Sequence, residues 1–201
     1  MLKIGLTGSI AVGKSFVCSV LRELGCQVLD ADLTAREVVA RGTTGLAAIV
    51  REFGEDVLTE NGDLDRKRLA AIVFADQEKR ELLNSIVHPL VIEAQDKWIR
   101  AAETKEPDGI AVIDAALMIE SGGYKRFNKL IVVWCESAIQ LERLMNRDGL
   151  SETDARARIA AQMSQEEKKR YADYLIDTSD GFEATRNQTL EIVRELRNLT
   201  E

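Results

Sequence analysis

The octapeptide Gly8-Ser9-Ile10-Ala11-Val12-Gly13-Lys14-Ser15 decides how this chain is interpreted. It fits the pattern Gly-x-x-x-x-Gly-Lys-Ser/Thr, in which a glycine-rich turn joins a strand to a helix. Glycine lets the backbone turn so that successive N–H groups point inward. Those donors and the positive end of the following helix bind phosphate oxygens. Lys14 can reach the β- and γ-phosphates of a nucleotide, and the Ser15 hydroxyl can bind Mg²⁺. The stretch therefore predicts a triphosphate-binding loop.

The chain on both sides of this loop has the patterns that the motif needs. The apolar run Leu2–Thr7 predicts a strand, and Lys14–Leu24 has a helical apolar face that ends before Gly25. Strands and helices then alternate, which predicts an α/β domain with a parallel sheet. The remaining predicted strands are Gln27–Asp30, Ile110–Asp114, Leu130–Cys135 and Tyr174–Ile176. The remaining predicted helices are Thr34–Ala40, Leu46–Phe53, Asp65–Ala75, an interrupted Asp76–Glu103, Ser137–Asp148, Glu152–Met163 and Phe182–Leu199.

Composition narrows the class of protein. The 201 residues include 27 basic and 34 acidic side chains, so a net charge of −7 argues against a general nucleic-acid binder. No apolar window reaches the length of a membrane span or a signal peptide, so we expect no membrane partner. Cys18, Cys26 and Cys135 form no Cys-x-x-Cys pair, and His88 is the lone histidine. We therefore expect three buried thiols, no zinc site and a cytoplasmic protein.

Three aspartates follow predicted strands. Asp30 and Asp32 end the second strand, and residues two apart in an extended chain point to the same side, here the ligand crevice of a parallel sheet. One could accept a proton from an attacking hydroxyl while the other binds metal or a ribose; the alternative is that Asp32 caps a helix. Asp114 ends the third strand, a position at which an acidic side chain commonly holds the metal. The alternative is that Asp114 caps a turn.

A set of arginines lies near the C-terminus. Arg143 and Arg147 are four residues apart on one helix face, and Arg158 shares a face with Gln162 on the next helix. Bidentate guanidinium groups stabilise the charge of a transferred phosphoryl group. The alternative is a pair of solvated helices with salt bridges to the nearby acids.

His88 and Pro89 interrupt the long helical pattern, because proline removes a backbone donor and crowds the carbonyl of Ser85. We expect a kink or restart there, which turns His88 inward. The alternative is a plain helix joint.

These segments together resemble the dephospho-coenzyme A kinase family over almost the whole chain. The resemblance lies in the phosphate loop and in Val28–Asp32, Leu83–Pro89, Gln140–Leu150 and Ala157–Met163, continuing through Glu167-Lys168 and Ala172-Asp173. It implies a three-layer P-loop kinase fold with a central parallel sheet, an inserted helical substrate region and a helical lid. The implied single kinase domain comprises a nucleotide-binding core (1–32, 104–145 and 170–201), a CoA-substrate region (33–103) and a lid (146–169).

The resemblance also implies an activity and its residues. The activity is ATP-dependent phosphorylation of the ribose 3′-hydroxyl of dephospho-CoA, the last step of CoA biosynthesis, with Mg²⁺ and with a monomer or weak homo-oligomer as the acting species. Catalysis would rest on Asp32 as base with Lys14 and Arg143, and Lys168 would belong to the lid. ATP would contact Gly8, Ala11, Val12, Gly13, Lys14, Ser15, Phe16, Arg147 and Arg158; the substrate would contact Asp30 and His88; and Ser15 and Asp114 would bind the metal.

The phosphate loop departs from the family's usual Gly-Ser-Gly-Lys-Ser-Thr, since Ala11–Phe16 stands in its place. Ala11 and Val12 predict a stiffer loop, while the anion cradle, which is made of backbone N–H groups, is unaffected.

Two other functions are weighed against this one: a different small-molecule P-loop kinase, acting on a nucleotide or nucleoside, and a nucleotide-dependent switch protein. A switch protein would need a guanine-reading Asn/Thr-Lys-x-Asp segment, and the chain has none.

Overall fold

The computed structural model of the protein describes residues 1–199, and these form two compact units. The first unit contains Met1–Asp30 and the described chain from Ala101 onward; the second contains Ala31–Arg100. The second unit spans nearly the same range as the predicted substrate region, whose role stays a prediction.

A parallel sheet of five strands forms the centre of the first unit. The strands are β1 (Leu2–Gly8), β2 (Gln27–Asp30), β3 (Ile110–Asp114), β4 (Lys129–Trp134) and β5 (Tyr174–Asp177), in the order β2-β3-β1-β4-β5. All five strand predictions are confirmed, with ends that differ by at most one residue. Because every pairing is parallel, all five carboxyl ends lie along one edge.

The helices, in chain order, are α1 (Lys14–Glu23), α2 (Ala31–Glu37), α3 (Thr44–Phe53), α4 (Arg66–Ala75), α5 (Gln77–Lys105), α6 (Ser137–Asp148), α7 (Glu152–Ala160), α8 (Gln165–Lys169) and α9 (Gly181–Asn198). Together with the sheet they confirm the predicted α/β class. Short 3-10 helices add Glu55–Val57 and Gly123–Arg126.

The core of the first unit is built on the two central strands. Ile4 and Leu6 of β1 and Ile131 of β4 have no exposed surface, as expected for strands of a parallel sheet that is covered on both faces. Val17 and Leu21 of α1 pack into the same cluster as three side chains of α9, namely Ile192, Val193 and Leu196. The predicted amphipathic pattern of the first helix is confirmed, because the apolar face of α1 packs against the sheet.

The second unit has a small core of its own. Val39, Ile49, Val57 and Leu69 are buried together. Helix α3 begins after Thr43, whose side chain accepts a hydrogen bond from the Leu46 backbone, and ends at Gly54 with φ 84°. The turn predicted at Asn61-Gly62 is confirmed: Gly62 has φ 80°, and an antiparallel bridge joins Leu58 and Leu64 around it.

Three helix predictions are corrected, and one helix was missed. Helix α2 begins at Ala31, three residues earlier than predicted. Helix α5 continues through Pro89, because the loss of one backbone donor is not enough to break a helix of 29 residues. The predicted restart is therefore wrong, and the kink stays a prediction. The helix predicted over Glu152–Met163 ends at Ala160. A new helix, α8, starts after Ser164 because Ser164 and Glu167 form a reciprocal capping box.

The three cysteines are unpaired and buried, as predicted. Within residues 1–199, no helix combines the length and the apolar content that a bilayer span needs.

A side chain at Gly5 would crowd its neighbours, because an added Cβ would lie 2.6 Å from Met118 Sδ and 3.0 Å from Leu130 Cδ1. We expect Gly5→Ala to lower the free energy of unfolding by about 1–3 kcal/mol through overpacking, measured by urea denaturation. Gly123→Ala is the matched control, since its nearest neighbour is the Ser121 hydroxyl at 3.3 Å. Equal stability losses in the two variants would contradict the close packing at Gly5.

Candidate active site

The candidate site lies at the carboxyl edge of the sheet, around the end of β1. Asp114 pairs in register with Leu6 of β1 on one side and with Asp30 of β2 on the other. The phosphate loop leaves the same edge directly after Gly8. Carboxyl ends of parallel strands are the usual place for ligands in open α/β sheets, so the loop and the two carboxylates face one crevice.

The phosphate loop is a tight, left-handed turn. An added Cβ at Gly8 would lie 2.5 Å from the Val133 carbonyl oxygen, so only glycine allows the strand to pass so closely. Gly13 caps α1 with φ 85° and contributes no side chain to the helix N-terminus, while Ala11 has φ 60°. No side chain caps α1, and the Phe16 N–H donates to the Gly13 carbonyl, so the N–H groups of Lys14 and Ser15 are the ones placed for an anion, as the motif predicts.

Lys14 pairs with a carboxylate rather than extending into solvent. Its ammonium forms an ion pair with Asp114 Oδ1, and both side chains are largely buried, with 17% and 13% of their surfaces exposed. The Cys18 thiol donates to the other oxygen, Asp114 Oδ2, at 3.3 Å. Burial, followed by the charge of Asp114 and this hydrogen bond, raises the pKa of Cys18 from 9.0 to about 12. The pair keeps a cation next to the phosphate loop.

Asp30 and Asp32 do not lie on one extended strand. Strand β2 ends at Asp30, and Asp32 is in the first turn of α2, so the prediction that the two side chains share a face of a strand is wrong. Both residues are exposed. The alternative that Asp32 caps a helix is also wrong, because Asp32 lies within the first turn of α2, where its charge favours the helix N-terminus. Its role as a base stays a prediction.

Arg143 is connected to the phosphate loop through Thr178, a residue at the end of β5 that is 4% exposed. Its two terminal nitrogens donate to the Oγ1 and the carbonyl oxygen of Thr178, each at 2.8 Å. Thr178 Oγ1 in turn donates to the Val12 carbonyl at 2.8 Å. This arrangement places a guanidinium group one side chain away from the loop. The sequence offered no signal for Thr178.

Arg147 and Arg158 both pair with Asp148, at distances of 2.8 and 2.9 Å to its carboxylate. Arg143 and Arg147 lie four residues apart within α6, as predicted. The hydrogen bond from Arg147 holds the pKa of the Asp148 carboxyl below its ordinary value. Both Arg147 and Arg158 form the exposed salt bridges that the alternative interpretation described, and their contact with ATP stays a prediction. The predicted common face of Arg158 and Gln162 is wrong, because α7 ends at Ala160.

Lys168, predicted to lie in a lid, is completely buried. Its ammonium donates to the Ala116 carbonyl and pairs with Glu120, both at 2.8 Å. Thr7 at the end of β1 also donates to the Ala116 carbonyl, at 3.2 Å. Lys168 therefore ties α8 to the segment that follows β3. Sequence reasoning placed it by resemblance and missed this internal ion pair.

Three glutamines around the phosphate loop were missed as a group. Gln162 and Gln140 bind the backbone of Ile10 through its N–H and its carbonyl, each at 2.8 Å. Gln165 holds Gln140 at 2.9 Å. No short-range sequence pattern reveals the contacts of Gln140 and Gln162 with Ile10, because the partners are 130 and 152 residues apart in the chain.

The lone histidine belongs to the second unit and is exposed on α5, so the predicted inward turn at Pro89 is wrong. Among residues 1–199, no group of three or more His, Cys, Asp or Glu side chains is arranged to hold a metal ion. Substrate contact by His88 stays a prediction.

Comparison with known proteins agrees with the resemblance. A family profile described as CoaE: Dephospho-CoA kinase matches residues 2–183. A dephospho-CoA kinase of Shouchella clausii is 46% identical over 190 residues, covering 94% of this chain and 96% of that protein. A dephospho-CoA kinase domain-containing protein of Danio rerio is 46% identical over 193 residues, covering 96% and 84%. The solved structure of the dephospho-CoA kinase from Campylobacter jejuni superimposes with a TM-score of 0.74 at 27% identity, covering 99% and 98%.

Because the pKa of Cys18 is raised in the folded protein, the free energy of unfolding should decrease at alkaline pH. The folded state keeps the thiol protonated at pH values where the unfolded chain, with a thiol pKa of 9.0, loses the proton. The free energy of unfolding therefore falls above pH 9, and we expect a loss of about 1 kcal/mol from this group between pH 8 and 10. Urea denaturation across that range measures it, and Cys18→Ala should flatten the decline. An identical decline in the variant would contradict the assignment.

Proposed function

This chain belongs to the dephospho-CoA kinase family, and we propose that it transfers the γ-phosphoryl group of ATP to the ribose 3′-hydroxyl of dephospho-CoA. The products are coenzyme A and ADP. The observation that carries this proposal is the family match over residues 2–183, which includes the phosphate loop, β2 and the glutamine- and arginine-bearing segments. The unpaired state of all three cysteines supports a cytoplasmic setting.

The nucleotide end of the reaction is supported by the loop and its neighbouring cations. The backbone N–H groups of the loop and the first turn of α1 bind phosphate oxygens. Lys14, held by Asp114 without nucleotide, exchanges that carboxylate for the β- and γ-phosphates when ATP enters. Arg143 lies beside the loop through Thr178, and its guanidinium group stabilises the charge that spreads over the transferred phosphoryl oxygens.

The acceptor end is assigned to Asp32. Only Ala31 separates it from Asp30, so the covalent chain keeps its backbone close to the carboxyl end of β2. An exposed carboxylate there accepts the proton of the 3′-hydroxyl as that oxygen attacks the γ-phosphorus in line, and ADP leaves without a phosphoenzyme. Asp30 supports the sugar, and His88 belongs to the unit that we assign to the CoA portion of the substrate.

The donor set around the loop fits Mg²⁺. The Ser15 hydroxyl and the Asp114 carboxylate are hard oxygen ligands, and Mg²⁺ is usually held by one or two protein oxygens, substrate phosphates and water. Ser15 and Asp114 would hold the ion, with Asp114 free to do so once Lys14 turns to the phosphates. When bound, Mg²⁺ neutralises charge on the β- and γ-phosphate oxygens.

A coupled assay tests the proposed activity directly. With Mg-ATP, we expect ADP release on addition of dephospho-CoA and little on addition of nucleosides or nucleoside monophosphates, since the acceptor site is assigned to a CoA-like molecule. Lys14→Ala should lower kcat by a factor of at least 10², because it removes the cation on the transferring phosphates. Turnover of a nucleoside monophosphate in preference to dephospho-CoA would overturn the proposal in favour of another small-molecule kinase.

Asp32→Asn tests the assignment of the base. The amide cannot accept the hydroxyl proton, so kcat should fall by about 10²–10⁴ while the Kd for ATP changes less than threefold. Asp56→Asn, an exposed aspartate of the same unit, is the matched control and should leave kcat unchanged. Full activity of Asp32→Asn would remove Asp32 from the role of base.

A further inference from the structure

Ala11 has a backbone conformation that alanine rarely adopts. Its φ is 60°, and it is the one non-glycine residue with a positive φ in the part of the chain that the structure describes. The left-handed region brings Cβ too close to the following carbonyl group, so a non-glycine residue stays there only when its surroundings impose it. Something next to Ala11 must therefore hold the chain in this turn.

The preceding residue, Ile10, is held by side chains on both of its backbone polar groups. Its N–H donates to Gln162 Oε1 at 2.8 Å, and its carbonyl oxygen accepts from Gln140 Nε2 at 2.8 Å. Ser9 strengthens the same attachment, since its hydroxyl donates to the Met163 carbonyl at 3.5 Å. The loop is thus fixed to the beginning of α6 and to the segment between α7 and α8.

The amide of Gln140 is itself oriented by further hydrogen bonds. Gln140 is 2% exposed, and its Oε1 accepts from Gln165 Nε2 at 2.9 Å. Gln165 Oε1 accepts from the backbone N–H of Cys135 at 3.0 Å. Because the acceptor of Gln140 is occupied by Gln165, its donor is directed to Ile10 and the amide cannot flip without losing both bonds.

The peptide plane transmits this restraint to Ala11. The Ile10 carbonyl and the Ala11 N–H belong to one planar trans peptide, so they point in opposite directions. A hydrogen bond that fixes the carbonyl also fixes the plane from which φ of Ala11 is measured. It therefore directs the Ala11 N–H away from Gln140. The bond from the Ile10 N–H to Gln162 fixes the preceding peptide plane, so the two glutamines together prevent Ile10 from rotating to release the turn.

We propose that Gln140 and Gln162 are positioning residues that hold Ile10, impose the left-handed turn at Ala11 and so pre-form the phosphate loop for ATP. The proposal rests on the proposed function insofar as it takes the loop to bind a triphosphate. It is specific to this chain's alanine, because a glycine at position 11 would adopt the turn without help. The two glutamines act through the backbone and touch no reacting atom.

A double-mutant cycle between Gln162 and Ala11 tests this coupling. Gln162→Met keeps the length of the side chain and removes the acceptor; we expect it to raise the Kd for Mg-ATP about tenfold, measured by calorimetry, and to lower kcat/KM for ATP by a similar factor. In the Ala11→Gly background, the same change should cost less than threefold. The KM for dephospho-CoA should not change in either background. Equal costs in the two backgrounds, or no effect of Gln162→Met on the Kd, would overturn the proposal.

A matched control separates positioning from general stability. Gln188→Met removes the amide hydrogen bonds to the N–H and the carbonyl of one backbone residue, Asp177, at 2.9 and 2.8 Å, whereas Gln162→Met removes the one bond to the Ile10 N–H. We expect it to lower the melting temperature as much as Gln162→Met while changing the Kd for ATP less than twofold. Parallel losses of ATP affinity in both variants would reduce Gln162 to a structural role.

Two further measurements keep the test decisive. Hydrogen exchange of the Ile10 amide in the wild-type protein needs no variant; strong protection supports the bond to Gln162, and exchange at the rate of an unfolded chain overturns it. Calorimetry with ATP needs no acceptor substrate. A protein that binds ATP but does not phosphorylate dephospho-CoA would therefore refute the proposed function and leave the coupling testable.

Discussion

The structure depends on one constraint: the central strand of the sheet must connect through a short loop to a helix whose first backbone N–H groups have no side-chain cap. Strand β1 lies between β3 and β4, with Ile4 and Leu6 fully covered. Its last residue, Gly8, passes so close to the Val133 carbonyl that no side chain fits. The chain then reaches α1 through a left-handed turn. Backbone N–H groups at an uncapped helix N-terminus form a binding site for anions.

The charges around this turn are arranged so that none is left alone. Lys14 is largely buried, and a buried ammonium without a counter-charge would be costly, so Asp114 neutralises it in the absence of nucleotide. Arg143 is likewise held by the two oxygens of Thr178, and Arg147 and Arg158 share Asp148. A polyanionic ligand can replace the carboxylates, because the phosphates offer more charge in the same place. Lys14 and Arg143 are thereby held next to the loop.

The attachments of the loop to the rest of the unit are uncharged. Ile10 is bound by glutamine amides and Val12 by a threonine hydroxyl, while the buried lysine, Lys168, is turned away to Glu120 and the Ala116 carbonyl. Carboxylates in the same positions would repel phosphate, and ammonium groups would compete with Lys14 for it. Neutral amides can fix the backbone without changing the potential that the nucleotide meets.

Local sequence determined the five strands, the phosphate loop, the burial of the cysteines and the family, because each rests on spacing or apolar runs within a few residues. It also contained the Ser164–Glu167 capping box, which was overlooked because no helix was predicted after Met163. Only the tertiary structure decided that Asp32 lies in a helix, that α5 continues through Pro89, and that Gln140, Gln162 and Thr178 hold the loop. The physical reason for those three contacts is distance along the chain: each joins the loop to a residue at least 130 positions away, and only folding brings such partners together.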